Sequence, residues 1–190
     1  ADVCVHPHQR DLVDAELPAE VVDLLPVGAH PVVTDDVDGR MLTPPSRQPV
    51  LAIDSAGRPH MTTFSLVDGR LSPLHPRDAV GGRPILLRDS VILGSVDTEG
   101  QASFNVGRNP RTVAGIAGGG RRLILAVVDG RQRPYSDGMS LRELATLIRA
   151  LGAHDAINLD GGGSTTLVYA DPNSGGALRI ANRPSDKEGE

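Results

Sequence analysis

From about residue 31 onward, short apolar runs alternate with turn signals every 8–12 residues, the texture of strands joined by tight turns. Val50–Ile53, Met61–Leu66, Ile85–Leu87 and Val91–Leu93 read as strands. Asp54-Ser55-Ala56-Gly57, Asp68-Gly69-Arg70 and Asp97-Thr98-Glu99-Gly100 read as turns. Glycine takes positive φ there without strain, and aspartate bonds its own backbone. The clearest pair is Thr112–Ala117 and Leu123–Val128, flanking Gly118-Gly119-Gly120. The second run is continuously apolar, which predicts a central strand covered on both faces.

One helix is well marked, at about 140–151. Ser140 is a good N-cap, and Glu143 three residues later completes a capping box. Leu141, Leu144, Leu147, Ile148 and Leu151 form one apolar stripe at helical spacing, and Gly152 ends it. Ala156–Leu159, Thr165–Tyr169 and Leu178–Ala181 read as three further strands. Strands outnumber helices, so the expected class is α+β, with a mixed, mostly antiparallel β-sheet and few helices. Residues 1–30 are weakly patterned and read as an N-terminal arm before a domain over 31–190. Within the arm, Val21–Leu25 fits either a short strand or one helical turn.

Composition narrows the function. Aromatic residues make up 2% of the chain and the formal net charge is −5. Neither the stacking surface nor the basic surface of a nucleic-acid binder is present. Cys4 is the single cysteine, so no intrachain disulfide forms. No apolar run is long enough to span a bilayer. His6-Pro7-His8 lacks the continuation of a zinc site and reads as solvated. The basic residues are almost all Arg, with Lys187 the one lysine.

Chemistry concentrates in Asn158-Leu159-Asp160-Gly161-Gly162-Gly163-Ser164-Thr165. Asn158 and Asp160 alternate, so both project from one face of a short strand. Three successive glycines cost conformational entropy, and the return is close approach of a ligand or of another backbone segment. Exposed amides in such a loop can cradle an anion, and Ser164 and Thr165 add hydroxyls. The stretch lacks a P-loop lysine, and a strand follows the turn where a P-loop helix would start. A second candidate is Asp129-Gly130-Arg131, at the end of the apolar strand, where loops carry side chains over a rigid base. Arg111, after the polar loop Asn105–Asn109, is a third. Asn182 and Arg183 are a fourth, able to reach the Asp160 face if their strand neighbours Thr165–Tyr169.

Five ordered motifs then carry a resemblance. They are Pro-Arg-Thr-x-x-Gly-Ile (110–116), Val-Asp-Gly-Arg (128–131), Gly-Met-Ser-Leu-x-Glu-Leu-Ala (138–145), Asn-Leu-Asp-Gly-Gly-Gly-Ser-Thr-Thr (158–166) and Asn-Arg-Pro-Ser-Asp (182–186). Together they resemble the phosphodiester glycosidase family, strongly from about residue 80. The resemblance implies an enzyme that hydrolyses the glycosidic bond of a sugar-1-phosphodiester, releasing sugar and leaving a phosphomonoester. It puts Asp160 and Asp129 in or near the site, where they are the candidate catalytic carboxylates. It implies Arg111, Arg131, Asn158, Gly161, Gly162, Gly163, Ser164, Thr165, Asn182 and Arg183 as substrate-binding, and it favours a secreted or extracytoplasmic setting. The family's upstream Asn-Gly-Gly-aromatic strand has no counterpart here, the first asparagine being Asn105. A companion chain or segment is therefore an expected partner, beside a sugar-phosphate small molecule or glycan.

On this reading Arg111 and Arg131 grip the phosphodiester. Asp160 and Asp129 share the carboxylate work, with Asp160 as base or nucleophile. No cofactor is required, although Asp129, Asp160 and nearby carbonyls could bind Ca²⁺ through oxygen. Two alternatives stand beside it: a non-catalytic carbohydrate- or phosphate-binding module of the same fold, and a hydrolase of another phosphodiester-linked glycan.

Overall fold

The computed structural model describes residues 49–63, 65–67, 70–72, 78–98, 102–163 and 165–186. Cys4, His6, His8, Val21–Leu25, Asp68-Gly69, Glu99-Gly100 and Ser164 lie outside the described residues.

The strands are β1 (Pro49–Ile53), β2 (Pro59–Thr63), β3 (Ser65–Val67), β4 (Arg70–Ser72), β5 (Asp78–Gly81), β6 (Ile85–Arg88), β7 (Val91–Ile92), β8 (Arg111–Ala117), β9 (Arg122–Val128), β10 (Asp155–Asn158), β11 (Val168–Asp171) and β12 (Ala177–Ile180). Among the described residues two α-helices join them, α1 (Ala102–Val106) and α2 (Leu141–Ala150). The main sheet runs β7-β6-β10-β8-β9, a smaller one runs β2-β1-β5, and β3-β4 and β11-β12 are two-stranded. Every ladder among the described residues is antiparallel, as the α+β expectation has it.

Helix α2 forms for the reasons its sequence gives. The Ser140 side chain accepts from the Glu143 amide, and the Glu143 carboxylate accepts from the Ser140 amide at 2.8 Å. Gly152 follows at φ +97°, a conformation an L side chain rarely adopts. Leu141, Leu144 and Ile148 are fully buried. Each contributes roughly 1.5–3 kcal/mol before entropy is counted. They pack with Leu86, Leu87, Val113, Val128 and Ala156 to form the core between α2 and the main sheet. A second core lies between the two sheets, where Leu51 and Val80 meet Ala114, Ile116, Ile157 and Leu159.

Three expectations need correction. Strand β9 is not central: among the described residues it is the outermost strand of its sheet, and β10 is central. Its apolar run has another cause. Ile124 and Ala126 pack on the α2 core, while Leu123 and Leu125 pack on the inter-sheet core. An uninterrupted apolar run reports that both faces are covered, not where the strand lies in the sheet. The strand expected at Thr165–Tyr169 starts later, at Val168, because residues before it serve a turn and a side-chain junction. The loop Asn105–Asn109 begins inside helix α1, too short to announce itself by periodicity.

The connection β9–α2–β10 places β8 between two strands that both oppose it. Arg111 pairs with Val128, and Asn158 pairs with Val113. The start of β8 and the ends of β9 and β10 therefore share one end of the sheet, which brings three stretches of interest together. Replacing Ser140 by Ala should lower stability by about 1 kcal/mol in urea unfolding. Glu143→Gln, which keeps the reciprocal cap bond, should cost less.

Candidate functional site

At that shared end, residues after each strand form a set of interlocked loops. Asp129 follows β9 and is 5% exposed. Its Oδ1 accepts from Asn182 Nδ2 at 2.8 Å and the Arg183 amide at 3.0 Å. Its Oδ2 accepts from the Tyr135 hydroxyl at 3.0 Å and the same amide at 2.9 Å. The Asp129 carbonyl accepts from Ser136 Oγ at 2.6 Å. Asn182 continues the junction, donating to the Thr165 carbonyl at 2.7 Å and accepting from the Leu167 amide at 2.8 Å. The segment 182–186 is thereby strapped across the glycine loop.

Arg111 is fully buried on the helix side of β8. Its Nε donates to the Met139 carbonyl at 2.9 Å, and its Nη2 donates to the carbonyls of Phe104 and Gly107 at 2.6 and 2.9 Å. The guanidinium lies over the Phe104 ring, 4.2 Å from its centroid. Burial, and then the charge of Arg131, bring its pKa down to about 10, so it stays charged at neutral pH. Tyr135 bears the Arg183 guanidinium at 5.3 Å in a similar stack.

Arg131 is exposed and sits at φ +58°. That left-handed conformation is unfavourable for a residue with a Cβ. Its Nε and Nη2 both donate to Asn109 Oδ1, at 3.2 and 2.9 Å. Its Nη1 reaches the glycine loop, 3.8 Å from where a Cβ on Gly162 would stand.

The three glycines have separate reasons. A Cβ on Gly161 would stand 3.0 Å from the Pro110 carbonyl oxygen. Gly162 adopts φ +104°. A Cβ on Gly163 would fall inside the Asp186 carboxylate. The close approach is therefore made by the protein's own segments. Two amides expected to cradle an anion are used internally, Gly161's by Asp160 Oδ1 at 2.9 Å and Gly162's by the Pro110 carbonyl at 3.2 Å. Asp160 itself is exposed. Asn158 is buried and donates to the Arg83 carbonyl at 2.8 Å.

The structure thus gathers Asp129, Arg131, Asp160, the glycines, Thr165, Asn182 and Arg183 at one end, with Arg111 and Asn158 buried beneath. Arg111 Nη1, Asn158 Oδ1 and Thr165 Oγ1 are buried there without a hydrogen-bond partner. Sequence reasoning missed Asn109, Tyr135 and Asp186 as members. Asp186 stood in a quoted motif, and its contact with Gly163 gives it weight.

Donors occupy both Asp129 oxygens, and no group of three or more His, Cys, Asp or Glu residues suited to a metal occurs among the described residues. No helix among them is long and apolar enough to cross a membrane.

Fold and site together define an α+β domain with a polar site on loops at one end of an antiparallel sheet. The sequence profile described as phosphodiester glycosidase matches residues 22–190, and the chain belongs to that family. Among solved structures it is similar to the zebrafish N-acetylglucosamine-1-phosphodiester alpha-N-acetylglucosaminidase catalytic domain, auto-inhibited by its pro-peptide. The two share 24% identity and a TM-score of 0.52, over 69% of this chain and 46% of that one. Weaker similarity links it to an exported-type protein of Burkholderia pseudomallei (28% identity, TM-score 0.46, 68% and 28% of the chains). A hypothetical Synechocystis protein gives 18% identity and a TM-score of 0.42, over 74% and 31%. The chain thus spans less than half the length of each. No curated protein matches it.

Asp129→Asn should destabilise the domain by roughly 2–4 kcal/mol in urea unfolding, because Asn turns one acceptor into a donor facing other donors. Tyr135→Phe, which removes one donor, should cost about 1–2 kcal/mol.

Proposed function

We propose that this chain hydrolyses the glycosidic bond of a sugar-1-phosphodiester. Water attacks C1, and its oxygen becomes the sugar's anomeric hydroxyl. The C1–O bond breaks, and its electron pair leaves with the phosphate as a monoester dianion. The proton passes to the Asp160 carboxylate and then to solvent. A phosphate monoester is a good leaving group, so little general-acid help is needed.

The observation that carries this reading is Arg131. A non-glycine residue in the left-handed region costs on the order of 1–3 kcal/mol, and such residues cluster at functional sites. Asn109 holds two of its nitrogens while Nη1 extends over Gly162. That arrangement suits a charge-assisted bond to a phosphodiester lying beside exposed Asp160. Arg111 is fully buried, with Nε and Nη2 bound to backbone carbonyls, and serves better as a buried positive field than as a direct ligand. Family membership and the chemistry named for the zebrafish enzyme support the same substrate class.

A sugar-1-phosphate methyl diester in ¹⁸O-water tests this. The label should enter the sugar and not the methyl phosphate; label in the phosphate would mean P–O cleavage and overturn the reading. Asp160→Asn should lower kcat about 10²–10⁴-fold. Arg131→Ala should raise KM roughly 10- to 100-fold. Tight binding of the diester with no sugar release would instead identify a binding module.

A further inference from the structure

We propose that Asp186 is the second carboxylate of the reaction, facing the sugar across the glycine turn from Asp160. The proposal rests on the hydrolytic reading above and replaces Asp129 in the carboxylate role expected for it, from the sequence, beside Asp160.

Asp129 is poorly suited to act on substrate. It is 5% exposed, and both its oxygens already accept bonds from Asn182, Arg183 and Tyr135. To reach a sugar it would have to abandon them and release segment 182–186. Its geometry is that of a positioning residue, and what it positions is the strap that ends in Asp186.

Asp186 has the opposite character. It is exposed. Its amide and that of Ser185 both donate to the Gly163 carbonyl, at 3.0 and 2.9 Å. Its carboxylate lies where any side chain on Gly163 would stand. Asp186 is therefore fixed over one side of the turn while Arg131 Nη1 approaches the adjacent Gly162. Asp160 is three residues from Gly163, so their Cα atoms are at most about 11 Å apart. An arginine and two exposed carboxylates thus border one four-residue turn.

The chemistry needs such a pair. Glycoside cleavage passes through an oxocarbenium-like transition state, and two carboxylates flanking C1 are its usual catalysts. With Asp160 taking the water proton, the Asp186 carboxylate stabilises the positive charge that develops at C1 as the phosphate departs. Asp186 neither gains nor loses a proton, so the atoms balance as before.

The test compares wild type with Asp186→Asn on the methyl diester, with binding of glucose 1-phosphate measured by calorimetry. kcat should fall 10²–10³-fold with KM within about threefold. Removing a negative charge beside the bound dianion should also tighten glucose 1-phosphate binding several-fold. A merely structural Asp186 would loosen the strap and weaken that binding, so weaker binding overturns the proposal. An active wild type with an Asp186→Asn kcat within threefold of it also overturns the proposal and leaves the hydrolytic reading standing. An inert wild type sinks the hydrolytic reading first, and this role with it.

Discussion

Both oxygens of Asp129 accept bonds from a segment more than fifty residues further along the chain. Removing a carboxylate from water costs several kcal/mol, and the burial is tolerated because every acceptor direction is met by a donor. Two of those donors, Asn182 Nδ2 and the Arg183 amide, belong to the strap; a third comes from Tyr135. The hairpin β11–β12 and the segment 182–186 are thereby tied to the end of β9. The same segment is held further by the Ser185 and Asp186 amides on the Gly163 carbonyl and by Asn182 on the Thr165 carbonyl.

Arg111 is the matching device on the other face. Its guanidinium is bound by carbonyls from the α1 end and from the approach to α2, so one cation ties both helical segments to the start of β8. Gly138 is part of the same knot. Its φ is +88°, and a side chain there would collide with the Asn109 backbone, which pairs with Met139 through two hydrogen bonds. Asn109 in turn holds Arg131. A buried cation on the helix side and a buried anion on the other each lock the loops nearest to them, and Arg131 emerges between them.

What could be read from the sequence follows the range of the forces involved. The α2 helix was legible because its cap, apolar stripe and closing glycine are all local. The β8–β9 hairpin was legible because a glycine run between apolar runs leaves few other choices. The Asn158–Thr165 stretch announced itself as special, yet the reason for its glycines is non-local. Gly161 makes room for Pro110, and Gly163 makes room for Asp186, 23 residues away by subtraction of their numbers. The position of β9 was misread because face coverage and place in the sheet leave the same apolar signature. Asp129 read as one of two catalytic carboxylates from its place at a strand end. A sequence shows a carboxylate at a strand end but not whether its lone pairs are already taken.

That distinction bears on how the site handles charge. A phosphodiester carries one negative charge and its monoester product close to two at neutral pH. Two exposed carboxylates beside the anion would oppose its binding in the absence of cations. Arg131 at the turn, with the Arg111 charge behind it, offsets that repulsion for the singly charged substrate. The product brings a second negative charge to the same carboxylates and is less well balanced. In the proposed reaction the arrangement would therefore favour holding the diester through bond cleavage and releasing the monoester afterwards. In the proposed roles the carboxylates would oppose the phosphate and stabilise the sugar cation, so the field that weakens ground-state binding would be the one that lowers the barrier.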